Sequence, residues 1–465
     1  MQRLTKFFDK SLFSIGDGKM KLSVFSLALP IFFENVCVQI ISFIQSSLSS
    51  RYMDGFFVTP LNVAANTVGL ISNVAAVIAT GMSIVLSICI GQKRTEDCKK
   101  IVGTSIVSLL ALRLALFTAA FFLAEPLMEL QGLGDPDNVA MLAPSVVYFR
   151  GQCAIAVVTS LTSSFATALR CYGHTNVGFF SSVSAGLVTL VMTWWTLNHS
   201  GVEFQKVMPA FITISVCANA VALLINFVCV IACKIPVGSF DLGWLKRILK
   251  VGFPATISSI MYSVSVAVTG AICIKISNDT FLVKTYVSTI VYFSYAFGYA
   301  IGQANAIMVG RGCGMKQLDK VDAMHRQNLR LTLACNLVLS TLCALFGKPL
   351  LGIFTDEQRI IALGAAVFWI DVAVEMGRGM NHLGQFGLNA TGDTVYTTVV
   401  SVVSATTCSI TLGYLLSTVL KLGVYGIWIA AAADELFRGT LYYVRWRKEK
   451  WRKSVERETK VLKQN

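Results

Sequence analysis

WIDVAVEMGRGMNHLGQFGLNATGDT, residues 369–394, is the stretch whose reading decides the rest of the chain. It lies in a run of apolar sequence, yet Asp371, Glu375, Arg378, His382 and Gln385 recur in it at steps of four, three, four and three. A helix brings side chains three and four apart onto one face, so these five share a single stripe. An ionisable group at the centre of a bilayer costs about 2.5–3.5 kcal/mol on insertion scales. A polar stripe on an otherwise lipid-compatible helix must therefore face protein or water, and this one reads as part of a transport pathway.

Working outward, the composition agrees with a membrane setting. The 465 residues are 55% apolar and 14% charged, with a mean hydropathy of +0.66, far from a soluble domain of this length. Spans are expected at 22–44, 61–90, 101–123, 140–165, 177–197, 207–232, 251–274, 285–309, 329–353, 360–388, 395–420 and 423–444. Each is long enough to cross about 30 Å of hydrocarbon as a helix. The first run begins only after Lys21, lacks a small-residue cleavage pattern, and is expected to remain as the first helix.

Most of the 39 basic residues fall in the N-terminal segment, in the loops that follow the even-numbered spans, and in the C-terminal tail. Lys and Arg in short loops stay on the cytoplasmic side, which places both termini there. The net charge of +14 is this asymmetry plus the tail RWRKEKWRKSVERETK. That tail reads either as a surface for anionic lipid headgroups or as a solvated stop after the last helix; nucleic acid binding has no support beyond the charge. The 13 cysteines are scattered through apolar spans without metal-ligand spacing, so neither a disulfide nor a metal site is expected. The four histidines, 174, 199, 325 and 382, lie in separate regions. No catalytic cluster forms around them, and an enzyme is not expected.

The chain repeats itself. Pro30 in LALPIFFEN has a counterpart in Pro254 of VGFPATISS. Leu169-Arg-Cys-Tyr-Gly173-His-Thr175 matches Leu388-Asn-Ala-Thr-Gly392-Asp-Thr394, and Gly81 to Gly91 resembles Gly302 to Gly314. The expected fold is therefore an all-α membrane protein with twelve transmembrane helices in two pseudo-symmetric six-helix lobes. An even number of spans per half gives both halves the same orientation, with substrate between them. The segments are a cytoplasmic piece over 1–21, an N-lobe over 22–232, a cytoplasmic linker over 233–250, a C-lobe over 251–444 and a basic tail over 445–465. Part of the linker is expected as an amphipathic surface helix.

The polar residues each admit two readings. Glu34, on one face of the first helix with Gln45, either carries a proton or is held by a neighbouring helix. Glu375 and Arg378, three apart, are placed to pair, which leaves Asp371 without a local cation and makes it the better ion or proton carrier. His382 is a proton relay or a hydrogen-bonded structural histidine. Asn219, Asn226, Gln303 and Asn305 are expected to bond between helices. Asp434, Glu435 and Arg438, at spacings of four and three, are expected as a structural salt-bridge cluster near the headgroups. The aromatics Tyr286, Tyr292, Phe293, Tyr295, Phe297 and Tyr299 either stack on a planar cation or pack against lipid and helices. The Gly-x-Thr turns at 173 and 392 are architectural breaks.

Several of these patterns together resemble the multidrug and toxic compound extrusion (MATE) transporters. They are Pro30-x-x-x-Glu34, Thr80-Gly81 with Ser87 and Gly91, the two Gly-x-Thr turns, and Glu375-x-Gly-Arg378-x-x-Asn381. The ending Gly423-Val-Tyr-Gly-Ile-Trp428, Asp434-Glu435-x-x-Arg438 and Arg445-Trp446-x-x-x-x-Trp451 resembles a bacterial branch of that family. The resemblance implies an antiporter in the bacterial cytoplasmic membrane that expels organic, often cationic, small molecules in exchange for H⁺ or Na⁺; a monomer without a cofactor is expected. From the reading of the polar residues, coupling is expected at Asp371, Glu375 and Glu34, with Arg378, Asn381, His382, Gln385 and Gln45 in the pathway or in pairing. Two departures stand out: Gln45 occupies a place where many members have Asp, and Thr189 and Thr193 stand where many have Asn and Asp. A related fold, the flippases for lipid-linked oligosaccharides, is the alternative; it asks for a strongly basic cavity, for which Arg113, Arg150 and Arg378 are the candidates.

Overall fold

The structure, a computed structural model, describes residues 13–15, 22–52, 55–133, 139–199 and 204–464. Of the N-terminal segment expected over 1–21, all but 13–15 lies outside the described residues. Two short strands, β1 (Ser14–Ile15) and β2 (Leu22–Ser23), pair antiparallel. Twelve long helices follow among the described residues: α1 Val24–Tyr52, α2 Gly55–Gly91, α3 Thr95–Phe122, α4 Leu142–Tyr172, α5 Thr175–His199, α6 Phe204–Ala232, α7 Leu242–Ile276, α8 Asn278–Gly314, α9 Leu318–Leu345, α10 Gln358–Ala390, α11 starting at Thr394–Ser404, and α12 Val424–Arg447. Ten of them are long and apolar enough to cross a membrane. The other two, α8 and α12, are the ones that bring Lys284, Asp434, Glu435 and Arg438 into the interior described below.

The repeat seen in the sequence is a repeat of helix ends. Gly173 (φ 97°) and Gly392 (φ 82°) each stand in the left-handed region that terminates a helix. The next amide in each case bonds back five residues, His174 to Leu169 at 2.9 Å and Asp393 to Leu388 at 3.0 Å. Lys93 (φ 58°) and Lys316 (φ 59°) close α2 and α8 in the same way. Equivalent caps at equivalent places give each half the same succession of six helices.

The chain forms two compact units. One holds residues up to Phe32, Ser87–Arg94 and everything from Lys250; the other holds Phe33–Leu86 and Thr95–Leu249. In the first unit Leu27 and Ile31 of α1 join Ala300, Ala304 and Met308 of α8 in one core, with Trp446 and Trp451. In the second, Phe117, Phe149, Met208 and Phe211 centre the core. The linker expected over 233–250 is irregular only as far as Asp241; from Leu242 it is already α7. Asp241 accepts from the amides of Gly243 (2.8 Å) and Trp244 (3.3 Å), which caps that helix and starts it early.

The basic tail forms a further helix, α13 (Lys450–Gln464). Trp451, Ser454 and Val455 are buried, and Lys450, Lys453 and Arg457 are exposed. Trp451 stacks on Trp446 at 4.6 Å, Trp446 stacks on His325 at 3.7 Å, and Arg452 pairs with Asp319 at 2.8 Å. Two of the four asparagine and glutamine expectations differ from what is observed. The amides of Asn219 and Asn226 bond to Ser215 and Ala222 four residues back in their own helix. The NH₂ group of a short amide can find its acceptor in the preceding turn of its own helix, although Oδ1 of Asn226 is buried without a hydrogen-bond partner. Asn305, by contrast, bonds between helices, with His325 and Asn328.

Candidate functional site

A cavity of about 360 Å³ lies within the first unit. Its walls come from α7 (Tyr262, Thr269), α8 (Lys284, Tyr292, Tyr295), α10 (Asp371, Arg378) and α12 (Trp428, Asp434, Glu435), with Ser409 from the continuation of α11. Pockets that take small molecules are mostly apolar with a few placed polar groups, and run from about 300 to 1,000 Å³. This one is unusually rich in charge for a space among membrane-spanning helices.

The stripe on α10 faces protein. Asp371 is 2% exposed and Glu375 is fully buried. One oxygen of Asp371 accepts the indole N–H of Trp428 at 3.0 Å, while Oδ2 is buried without a partner. Glu375 accepts from Ser294 of α8 at 2.6 Å and from Arg378 one turn further along its own helix. The same guanidinium reaches Glu435 of α12 at 3.5 Å. Asn381 donates to Glu435 at 2.6 Å. His382 is buried between the edges of Tyr295 and Tyr299, with Phe386 beside it. Gln385 is half-buried and lies beyond the cavity wall.

Asp434, Glu435 and Arg438 pair as their spacing requires: Arg438 binds Asp434, and Glu435 at 3.3 Å. They do not stand apart from the α10 stripe near headgroups. All three are at most 4% exposed, and two line the cavity. The reason is the crossing of α10 and α12 at Gly377, where a Cβ would lie 2.6 Å from the Leu436 amide nitrogen and 2.8 Å from the Glu435 carbonyl carbon. Only a residue without a side chain lets the helices approach this closely. The approach fuses two charge clusters into one network.

The backbone of α11 also adapts to the site. Beyond Ser404 the chain winds more widely, in π-helical turns over Ala405–Leu412 and Leu415–Val419. Backbone bonds there span five residues rather than four, and the Thr411 hydroxyl likewise donates to the Thr406 carbonyl, five residues back, at 2.8 Å. Residues five apart then fall on one face, and Ser404 and Ser409 both donate to Asp434.

In the second unit, Glu34 accepts twice from Nη2 of Arg170, at 2.6 and 2.7 Å, and once from Ser182 at 3.0 Å. Gln45, also in that unit, is half-buried. Arg113 is bound to the Ala156 carbonyl at 3.1 Å and to Thr159, and Arg150 to the Phe121 carbonyl at 3.3 Å. Of the α8 aromatics, Tyr292 and Tyr295 line the cavity, whereas Tyr286 stacks on Phe354, Phe297 meets Phe32, and Phe293 is exposed.

Sequence reasoning passed over Lys284, Trp428 and Arg170. Lys284 fell one residue before the span expected at 285–309, although the helix begins at Asn278. Trp428 was read as part of a motif rather than as a donor, and Arg170 as part of a repeat. For Trp428 the available signal was a polar group inside an expected span; Lys284 and Arg170 lay just beyond the ends of theirs, and the longer helices Asn278–Gly314 and Leu142–Tyr172 take them in.

A duplicated six-helix pattern of apolar helices, with ionisable residues and a cavity buried among them, defines a multi-pass membrane transporter. The MatE family pattern matches residues 30–195 and again 254–415, beginning at the two prolines that mark the repeat. The chain belongs to the MATE family of transporters, and so is not an enzyme. It is 26% identical over 436 residues to the uncharacterized transporter YisQ of Bacillus subtilis, covering 92% of this chain and 94% of that one. With the probable multidrug resistance protein NorM of Thermotoga maritima it shares 26% identity over 208 residues, 45% of each chain. A crystal structure of a MATE protein in a straight conformation superposes with a TM-score of 0.82 at 15% identity, over 93% of this chain and 96% of that one. That likeness extends to the twelve-helix fold.

Proposed function

We propose that this chain is a secondary antiporter that exports organic, cationic, drug-like compounds in exchange for H⁺ or Na⁺ by alternating access. The observation that carries the reading is the free, buried oxygen of Asp371 on the wall of an aromatic-lined cavity, one helical turn from a second buried carboxylate, Glu375. A monovalent cation or proton entering there meets a buried carboxylate oxygen that has no hydrogen-bond partner. Coupling then requires that the ion and the exported compound favour different arrangements of the protein, because a ligand bound equally by both shifts nothing.

The three carboxylates that line the cavity, Asp371, Asp434 and Glu435, outnumber Lys284 and Arg378 on its wall and favour a cationic cargo over the anionic pyrophosphate of a lipid-linked precursor. Arg113 and Arg150 are already bound to backbone carbonyls. Glu34 is held by Arg170 and Ser182, so any ion exchange there requires that pair to open. The reading places the protein in the bacterial cytoplasmic membrane with both termini inside, following the basic residues. The exposed Lys450, Lys453 and Arg457 of α13 then face anionic headgroups.

The test is ethidium movement in inverted vesicles under an imposed pH or Na⁺ gradient, with wild type, Asp371→Asn, Glu375→Gln and Glu34→Gln compared. Gradient-driven transport is expected in wild type and lost in Asp371→Asn. Unchanged transport in all three variants refutes the carboxylate assignment. Absence of gradient-driven movement, together with translocation of a headgroup-labelled lipid, favours the flippase.

A further inference from the structure

Helix α13 is amphipathic and doubles back on the chain. Glu449, between α12 and α13, stands in the left-handed region (φ 53°), which turns the backbone sharply there. The buried face of α13 then lies across two turns of the first unit. At the turn between α8 and α9, Arg452 pairs with Asp319 at 2.8 Å. At the turn between α10 and α11, a Cβ on Gly392 would lie 2.5 Å from Cγ of Glu458, and the adjoining Asp393 is held by Arg445 of α12 at 2.8 Å. Between the two, Trp451 stacks on Trp446 and Trp446 on His325 of α9, which bonds with Asn305 of α8. These contacts hold the helix weakly. Asp319 is 93% exposed, so its ion pair contributes little. The indole N–H of Trp451 is buried without an acceptor, which costs part of what its stacking gains. Meanwhile Lys450, Lys453 and Arg457, at steps of three and four, are exposed on another face, with Arg447 and Lys448 exposed just before them. Against these five stand the exposed acids Glu449 and Glu456, and Lys460 and Lys463 follow in the sequence.

We propose that α13 is a strap held in place by anionic phospholipid. Headgroups that bind Lys450, Lys453 and Arg457 keep the helix seated across the two turns, so lipid composition sets how readily that end of the first unit opens. A free amphipathic helix of this kind lays its apolar face into the bilayer surface. In this protein Trp451 and Val455 are already buried against the chain, and the basic face is what remains for the membrane. Each Lys or Arg near an anionic surface is attracted to it, and the attraction fades within a Debye length. A neutral bilayer leaves the strap with its weak contacts alone. The line of stacked rings ends on α8, the helix whose Tyr292 and Tyr295 line the cavity, so a lipid bound at α13 biases an element of the cavity wall. This inference rests on the placement of α13 beside the bilayer given above and not on what the cavity carries.

The test is hydrogen–deuterium exchange of the two turns in the full-length protein, held in nanodiscs of neutral phosphatidylcholine or of phosphatidylcholine mixed with anionic phosphatidylglycerol. With the anionic lipid, both turns of the wild type are expected to exchange about tenfold more slowly, the effect of fewer than two headgroup contacts. High salt should remove the difference. A variant combining Lys450→Gln, Lys453→Gln and Arg457→Gln is expected to exchange in either disc as the wild type does in the neutral one. Equal exchange of the wild type in both discs, slowing of one turn alone, or an undiminished response in the triple variant overturns the proposal. Slowing by glycerol phosphate added to neutral discs also overturns it, because a free anion then suffices. The wild-type comparison and its salt dependence stand even where the variant fails to fold. Gradient-driven transport in vesicles is read separately. Transport without lipid-dependent exchange refutes the strap and leaves the antiporter reading standing; lipid-dependent exchange without transport does the reverse.

Discussion

Trp428 and Asp371 meet at 3.0 Å, the indole N–H donating to one carboxylate oxygen while the other is buried with no partner. Both residues line the same cavity, and they come from different helices, α12 and α10. The contact therefore fixes the plane of the carboxylate and also ties the two helices together next to the space where exchange is proposed.

Replacing Trp428 by Phe keeps an aromatic ring in place and removes the donor. A hydrogen bond to a charged group is worth about 1.5–3 kcal/mol, so the carboxylate then relies on the coupling cation alone. The gradient-driven transport of Trp428→Phe is expected to reach half its maximum at about tenfold lower ion concentration than wild type. An unchanged ion dependence, measured in proteoliposomes, would show that the indole does not set the behaviour of this carboxylate.

Gly377→Ala tests the crossing of α10 and α12. Its added Cβ lies 2.6 Å from backbone, where no flexible side chain can give way. The variant is expected to lose about 1–3 kcal/mol and to separate Arg378 from Glu435, so transport falls together with thermal stability in detergent. Wild-type melting in Gly377→Ala would mean that the helices are not in close contact there.

Arg378 is 14% exposed and serves two carboxylates, one of them fully buried. Removing it in Arg378→Met strands charge and is expected to cost about 3–5 kcal/mol. The double variant Glu375→Gln with Arg378→Met should recover most of that stability, since Glu435 keeps Arg438, without recovering transport. If the double variant melts no higher than the single one, the pair is not the source of the loss.

Asp241 gives a pH-dependent stability outside the membrane-spanning segments. Burial acts to raise its carboxyl, but the Trp244 amide, Lys100 and the Gly243 amide outweigh it and hold it below the ordinary range. A lowered native pKa stabilises the fold above the unfolded value, about 3.9, and that contribution is lost as pH falls through the native value. Asp241→Ala should therefore cost about 0.5–2 kcal/mol at neutral pH, with the difference from wild type shrinking under acid conditions. A difference that is constant from neutral to acid pH would show that the charge of the cap is not involved.

How much of the site was legible depended on whether its partners share a helix. Glu375 with Arg378, and Arg438 with Asp434 and Glu435, were readable because spacings of three and four carry their own geometry. Asp371 was singled out for the same reason, as the acid without a cation in reach along its helix. Glu34 could be found in the sequence but its partner could not, because Arg170 stands 136 residues away. Asn219 and Asn226 failed as inter-helix bonds because a sequence does not say whether a neighbouring helix offers a group. The wide turns after Ser404 carry no compositional mark, and they decide that two serines reach one aspartate.

By itself, the sequence determined the twelve helices, their duplication, and which face of α10 is polar, because hydropathy and helical periodicity act within a segment. Only the tertiary structure decided that the stripe on α10 and the charges on α12 form one network, and that Lys284 and a free oxygen of Asp371 share a cavity with Trp428. The physical reason is that charge in a low-dielectric interior is settled by whatever lies within a few ångströms. In this chain those neighbours come from helices far apart in sequence, brought together by a glycine that lets two backbones touch.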